Sequence, residues 1–371
     1  MNARPAIEKS QRIVVKIGTA VMTGGGATLD RAYAHDLAAQ VSGLVAEGRR
    51  VIVVSSGAVA AGLPALRLAA RPRDVAGQQA AAAAGQPVLM DLWREAFGVR
   101  NVAVAQVLLS RADFDSRERF LNIRNCLLRL LELGAVPIIN ENDTVATEEI
   151  SLGDNDLLSA KIAAAVQAQL LVILTGVDGV LDRNGKVVSE ALGVESLLGL
   201  VRGEKSAQGR GGMVSKLSAA RAAGQSGVAT VIAPGRPAGG LVRVCRGEEV
   251  GTLVGVQSEA KVGGKRLWIG LGVTPSGAVT VDDGAAKAVR ERGASLLARG
   301  VTGVSGVFGV GDAVFIRQTS SGRDIARGLT NFSSVELAKI VGVESARFEE
   351  VLGRQAHEEV VHRDNLVMEH G

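Results

Sequence analysis

Six short runs of β-branched and aliphatic residues recur through the first two thirds of the chain: 13–17 (IVVKI), 51–56 (VIVVSS), 102–109 (VAVAQVLL), 136–139 (VPII), 170–175 (LLVILT) and 230–233 (TVIA). Each has the length and continuous apolar character of a strand buried on both faces. The segments between them, 30–48, 75–97, 115–134, 155–169 and 215–227, place apolar residues near i, i+3, i+4 and i+7, the spacing of one helix face. Strand and helix in alternation force crossover connections, so the pattern predicts an α/β fold, a three-layer sandwich around a mainly parallel sheet, running to about residue 255. The rhythm then changes. A polar, glycine-containing stretch at 257–266 (QSEAKVGGKR) reads as a linker, and short strands follow at 268–272, 278–283, 301–318 and 323–331, with helices only near 284–292 and 334–341. The expected organisation is a first domain over 1–260, a linker over 261–275, a small β-rich barrel-like domain over 276–355 and a tail over 356–371. A chain of 371 residues has room for both cores.

Composition removes several function classes. Forty-two basic residues against 38 acidic ones leave a net charge of only +4, so charge alone does not imply a nucleic-acid partner. Aromatic residues make up 3% of the chain, too few for platforms that stack bases or sugars. Cys126 and Cys245 have no CxxC spacing, and His35, His357, His362 and His370 form no HExxH, which argues against a disulfide framework, a zinc site and zinc hydrolysis. No GxSxG elbow is present. The longest apolar stretch, 162–177, is broken by Gln167, Gln169 and Gly176, and no apolar run precedes Ile13. The expectation is a protein with no signal peptide and no membrane span, in a reducing cytoplasm.

In open α/β sheets ligands bind beyond the carboxyl ends of the strands, and five strand ends here are chemically unusual. Lys16 ends the first run and a glycine-rich turn follows (16–26, KIGTAVMTGGG). That segment is either a phosphate cradle with a point charge or a surface lysine before a flexible loop. The stretch 55–62 (SSGAVAAG) offers the Ser56 hydroxyl and helix N-terminal amides to a carboxylate or phosphate, or uses Ser56 only as a cap. NEND at 140–143 and GDND at 153–156 put three aspartates, one glutamate and three asparagines at one sheet edge. Capping and turn chemistry alone needs fewer, and the set can orient an ammonium group, a water or a Mg²⁺-nucleotide. The stretch 209–216 (GRGGMVSK) reads as a glycine-rich loop leading into a helix with Lys216 in its first turn. With Lys16 it suggests two cations around a transferring phosphoryl group. Neither GxxxxGK[ST] nor GxGxxG occurs, so any ATP site is of another type. The charge-rich stretch 111–120 is a solvated helix face or a contact with a partner subunit.

The ordered set VVKIGT, VSSGAVAAG, RERFLN, INENDTVAT, GDNDLLSA, LLVILTGVDG and GRGGMVSKL resembles the bacterial glutamate 5-kinases of the amino acid kinase family. VTVDDGAAKAVRERGASLL, GVTGVSGVFGVGDAVFIR and GRDIARGL look like the PUA domain of that family's longer members. The resemblance implies ATP-dependent phosphorylation of the side-chain carboxylate of L-glutamate to L-glutamyl 5-phosphate, the first step of proline synthesis, with Mg²⁺ accompanying ATP. It implies that Lys16 holds phosphates, that Ser56, Asp143 and Asn155 bind glutamate, and that Asp154 and Asp156 organise the lysines and Mg²⁺-ATP. Thr175, Gly176, Arg210, Gly211, Gly212, Met213, Val214, Ser215 and Lys216 would line the nucleotide site, with Lys216 stabilising the moving phosphoryl group and no direct metal ligand assigned. Gly176 departs from the family, where Asp is common, which leaves a backbone contact there. A homodimer or homotetramer and feedback inhibition by proline are implied as well. Two other readings stay open. One is a related kinase with another acid such as aspartate. The other is an RNA-binding role for the second domain through Lys265, Arg266, Arg290, Arg292, Arg299, Arg317, Arg323 and Arg327, which equally suit a solvated surface.

Overall fold

The computed structural model describes residues 4–145, 154–201, 207–255 and 268–369. The chain divides into two compact units, one of 1–113 with 118–261 and one of 114–117 with 262–371.

The first unit is built on eight strands: β1 (Arg12–Ile17), β2 (Arg50–Ser55), β3 (Val104–Leu109), β4 (Val136–Glu141), β5 (Leu170–Thr175), β6 (Glu190–Ala191), β7 (Ala229–Pro234) and β8 (Thr252–Val254). Their order is β3-β4-β2-β1-β5-β7-β8-β6. The six strands from the apolar runs are mutually parallel, as the alternation with helices predicts, and β8 is antiparallel to β7, with β6 beyond it at the far edge. From β1 the chain builds outward to β2 on one side and to β5 on the other. Their carboxyl ends therefore diverge at a switch point, where crossover helices leave a crevice.

Strand alternation decides which side chains reach that crevice. Ile13, Val15 and Ile17 of β1 join one core with Leu37 and Val41 of the helix Arg31–Ala46 and Leu89 and Trp93 of the helix Val75–Gly98. Lys16 points to the opposite face, where the helix Asp154–Ala165 lies. A tight crossing sets the near wall. In the helix Ala58–Ala65 a Cβ on Gly62 would lie 1.8 Å from the Ala81 carbonyl, and one on Gly85 would lie 1.9 Å from the Ala58 carbonyl. Only glycine at both positions lets these helices approach so closely. Buried Trp93 adds an indole hydrogen bond to Ser55 Oγ at 3.1 Å, at the end of β2.

The second unit is β-rich, as its short-strand rhythm predicts. A five-stranded sheet runs β11-β9-β12-β13-β15, from β9 (Gly277–Val281), β11 (Val301–Gly306), β12 (Ala313–Gln318), β13 (Asp324–Leu329) and β15 (Leu366–Met368). A second sheet pairs β10 (Leu296–Leu297) with β14 (Glu359–Val361). The helices Asp283–Arg292 and Ser334–Ile340 close one core around Val279, Phe308, Ile316 and Phe332. Two details differ from the sequence reading. Residues Trp268–Gly272 form a π-helical turn and not a strand. Trp268 and Ile269 are both buried there, which consecutive side chains on opposite strand faces achieve only in a strand covered on both sides. Residues 356–369, expected as a tail, supply β14 and β15, and Val360 and Val361 are fully buried in the core. Of the expected linker, 261–267 lie outside the described residues. No described helix is long and apolar enough to cross a membrane.

Candidate active site

A cleft of about 470 Å³ opens at the carboxyl ends of β1, β2, β4 and β5. At one end the cleft is ionic. Lys16 Nζ stands 2.6 Å from Asp156 Oδ1, and Lys216 Nζ stands 3.3 Å from Asp156 Oδ2. Ser215 Oγ donates to Asp156 Oδ2 at 2.7 Å. Asp156 and Lys16 are nearly fully buried, with 1% and 6% of their side-chain surface exposed. Burial pushes the Asp156 carboxyl up, but the charges of Lys16 and Lys216 and the hydrogen bonds from Lys16 and Ser215 outweigh it and hold the group below the usual carboxylate range. Burial lowers the Lys16 ammonium against the pull of Asp156, and the charge of Lys216 lowers it further. Two cations thus share one anion, and the cluster carries a net positive charge facing the cleft.

Lys216 reaches this cluster in an unexpected way. The helix that carries it spans Ala207–Gly224, so the glycine-rich stretch 209–212 is helical and Lys216 sits in the third turn, not the first. The side chain is aimed by its own helix: Lys216 Nζ donates to the Gly212 carbonyl at 3.0 Å while pairing with Asp156, and Ser215 lies within 3.0 Å of the same carbonyl. The helices Asp154–Ala165 and Ala207–Gly224 pack side by side, which offsets the poor helix propensity of the glycines.

The other end carries a chain of uncharged amides, with two carboxylates beside it. Asn155 Nδ2 donates to Ser56 Oγ at 3.0 Å and to Asn140 Oδ1 at 3.0 Å. Asn140 Nδ2 in turn donates to Gln86 Oε1 at 2.9 Å. Among the described residues, buried Asn155 Oδ1 has no hydrogen-bond partner. Glu141 and Asp143 line the same stretch of cleft. The helix Ala58–Ala65 begins beside Ser56 at Gly57, whose φ of 120° favours glycine.

The roof is the segment after β1. The helix Thr19–Thr23 ends at Gly24 with φ of 63°, and Thr23, Gly26 and Ala27 line the cleft. Arg236, in the turn after β7, clamps this segment. It donates to Asp30 Oδ2 at 2.7 Å and to the Val21 carbonyl at 2.6 Å, and stacks over the Tyr33 ring with its guanidinium carbon 5.1 Å from the centroid. The same turn is tied to β5, because Gly235 N donates to the Thr175 carbonyl at 2.8 Å.

Of the residues singled out in the sequence, Lys16, Ser56, Asp143, Asn155, Asp156, Thr175, Gly176, Gly212, Ser215 and Lys216 all line this one cleft. Met213 and Val214 belong to the helix but are not part of the lining, and Val214 is 42% exposed. The side-chain surroundings of Asp154, Arg210 and Gly211 lie outside the described residues. A Cβ on Gly176 would meet nothing within 4 Å, so the position is open. Sequence reasoning missed Asn140 as an individual contact, and Gln86, Arg71 and Arg236 altogether. Arg71 lines the mouth of the cleft and donates to Gln78 Oε1 at 2.8 Å.

Comparison with known proteins agrees with this architecture. Residues 11–233 match the amino acid kinase family and residues 277–352 match the PUA domain. The curated protein "Glutamate 5-kinase" of Thermus thermophilus is 45% identical over 98% of this chain and 99% of its own length. Its namesakes in Variovorax paradoxus and Methylococcus capsulatus are 45% and 44% identical, each over 99% of this chain and over 98% and 100% of their own length. Among solved structures, the N-acetylglutamate synthase of Neisseria gonorrhoeae matches with a TM-score of 0.51 at 17% identity, covering 69% of this chain and 62% of that one, a likeness of fold. The chain belongs to the amino acid kinase family and carries a PUA domain in its second unit.

Proposed function

We propose that the chain transfers the γ-phosphoryl group of ATP to the side-chain carboxylate of L-glutamate, giving L-glutamyl 5-phosphate, the first step of L-proline synthesis. The observation that carries this reading is the pair of lysines on one buried carboxylate, Lys16 and Lys216 on Asp156, at the switch point of the sheet. The long relatives of the same name support the choice of substrate. A carboxylate acceptor is already ionised near neutral pH, so no general base is required. The task is to bring two anions together and neutralise the charge that builds on the transferring group. A carboxylate oxygen bonds to the γ-phosphorus as the bond to the bridging oxygen of ADP breaks.

In this reading Lys16 and Lys216 hold the transferring phosphoryl group and Asp156 keeps both ammonium groups in place. Thr175, Gly176, Gly212 and Ser215 line the nucleotide side of the cleft. Ser56 donates its hydroxyl to a glutamate carboxylate, and Asp143, with Glu141 beside it, offers charge to the ammonium group. Asn155 Oδ1, without a partner among the described residues, is an acceptor whose desolvation, about 1–3 kcal/mol, a ligand donor would offset. The donor set fits a Mg²⁺ that arrives on the nucleotide phosphates: among the described residues no three His, Cys, Asp or Glu side chains are grouped to hold an ion, and Asp156 is committed to the lysines. When bound, Mg²⁺ neutralises phosphate charge.

The pairing of Arg299 with Glu344, Arg317 with Asp324 and Arg327 with Glu369 supports an ordinary solvated surface on the second unit over an RNA-binding face. The test of function is to incubate the purified protein with Mg²⁺-ATP, hydroxylamine and, separately, glutamate, aspartate or N-acetylglutamate, and to measure the hydroxamate that traps an acyl phosphate. Product with glutamate is expected. Product with aspartate alone would keep the chemistry and overturn the substrate, a choice of one methylene that a pocket resolves by only about 1–3 kcal/mol.

A further inference from the structure

We propose that Gln86 is a positioning residue that fixes the hydrogen-bond polarity of the acid-binding end of the cleft through Asn140 and Asn155, so that the Ser56 hydroxyl is left as a donor. The inference rests on the glutamate-kinase reading, because it concerns how that substrate's carboxylate is met.

The argument is a count of donors and acceptors. A side-chain amide has one acceptor oxygen and one donor nitrogen with two hydrogens. Gln86 Oε1 receives Asn140 Nδ2 at 2.9 Å, which turns Asn140 Oδ1 toward Asn155. Asn155 Nδ2 spends one hydrogen on that oxygen and the other on Ser56 Oγ, both at 3.0 Å. Ser56 Oγ therefore accepts from Asn155, and its own hydrogen is directed elsewhere, into the cleft it lines. Reversal of the first amide reverses the rest. Asn140 would present its nitrogen to Asn155, Asn155 would present its oxygen to Ser56, and the Ser56 hydrogen would be consumed inside the protein. The pocket would then offer a lone pair where an anion has to bind.

Gln86 itself is not part of the cleft lining, so it acts only through its neighbours. Its place is held firmly. It follows Gly85, the residue jammed against the Ala58 carbonyl, and Asn140 is 2% exposed at the end of β4. Every member of the chain is uncharged, so no ion pair holds the polarity in place, and the Gln86 oxygen is the acceptor on which it ends.

The test is steady-state kinetics of the full chain in the hydroxylamine trap, with Gln86→Met, Gln86→Glu, Ser56→Ala and the double variant Gln86→Met/Ser56→Ala, each checked for folding by circular dichroism. Gln86→Met removes the acceptor at nearly constant volume. Its expected effect is a glutamate KM raised about tenfold, the scale of one hydrogen bond to a charged group, with ATP KM and kcat within about threefold of wild type. Gln86→Glu keeps an acceptor and is expected within about threefold of wild type for glutamate. In the Ser56→Ala background the Gln86→Met effect is expected to vanish, because both changes remove the same donor. Additive effects, equal increases in both KM values, or an unchanged glutamate KM in Gln86→Met would overturn the proposal. If Gln86→Met fails to fold, Gln86→Lys, a donor only, replaces it, and a glutamate KM equal to that of Gln86→Glu is then the overturning result. Wild-type turnover with a different acid would defeat the glutamate assignment, and the variant pattern measured with that acid would still decide on Gln86.

Discussion

The two ends of the cleft are built on different physical principles. At the phosphoryl end Lys16, Asp156 and Lys216 are ions in a buried setting, where Coulomb interactions are far stronger than in water and the arrangement tolerates small errors of angle. At the acid-binding end Gln86, Asn140, Asn155 and Ser56 are neutral, each bond is worth little, and what they fix is direction. In the proposed reaction, charge sets how strongly the transferring group is held, while the amide chain sets which functional group may enter.

That contrast can be broken in several ways. The largest expected effect is on Asp156→Ala, which leaves buried Lys16 without its counter-charge. A loss of about 3–5 kcal/mol in urea unfolding is expected, and a loss under about 1 kcal/mol would show that the cluster is solvated in the free protein. The pH dependence follows from the depressed carboxyl. Its contribution is present above the ordinary value of 3.8 and is lost as pH falls through the lower folded value, so the gap between wild type and Asp156→Asn should close in acid. Lys16 titrates below its ordinary 10.5 in the free protein, so the alkaline limb of kcat/KM should lie below that value. Asp156→Asn should move it lower still, since Asp156 is what raises it. Next comes Gly62→Ala, whose new methyl would sit 1.8 Å from the Ala81 carbonyl. About 1–3 kcal/mol of destabilisation by thermal melting is expected, with a weakened glutamate KM because the crossing fixes the Ser56–Ala58 wall. Ser56→Ala is expected to raise glutamate KM about tenfold with little change in kcat, the signature of lost uniform binding. The smallest effect is assigned to Arg236→Ala. The clamp is 41% exposed, so a drop of about threefold to tenfold in kcat/KM is expected as the 24–30 segment loosens, with Arg236→Lys intermediate. An unchanged Arg236→Ala enzyme would show that the roof needs no clamp.

Much of the first unit was legible because its signals are local. Strands announce themselves in apolar runs, Lys16, Ser56, Asp143, Asn155 and Asp156 sit in short motifs that follow strands, and Lys216 sits in a short motif on a helix. What was hidden depends on contacts between distant residues. Gln86 lies in an alanine-rich helix 54 residues before its partner Asn140, and Arg236 lies 206 residues after Asp30, so neither carries a local signal. The stretch 209–212 misled for a physical reason: its glycines favour a loop by intrinsic propensity, and packing against the helix Asp154–Ala165 overrides them. The strands β14 and β15 were hidden because three-residue strands give too short a pattern to read.

The most direct test of the central claim is the kinetics of Lys16→Ala with glutamate and Mg²⁺-ATP in the hydroxylamine trap. If the buried cation supports the moving phosphoryl group, kcat falls by about 10²–10³ while glutamate KM stays within about threefold. A Lys16→Ala enzyme that keeps its kcat and shows only a raised glutamate KM would contradict the account, because Lys16 would then be part of the acid-binding end.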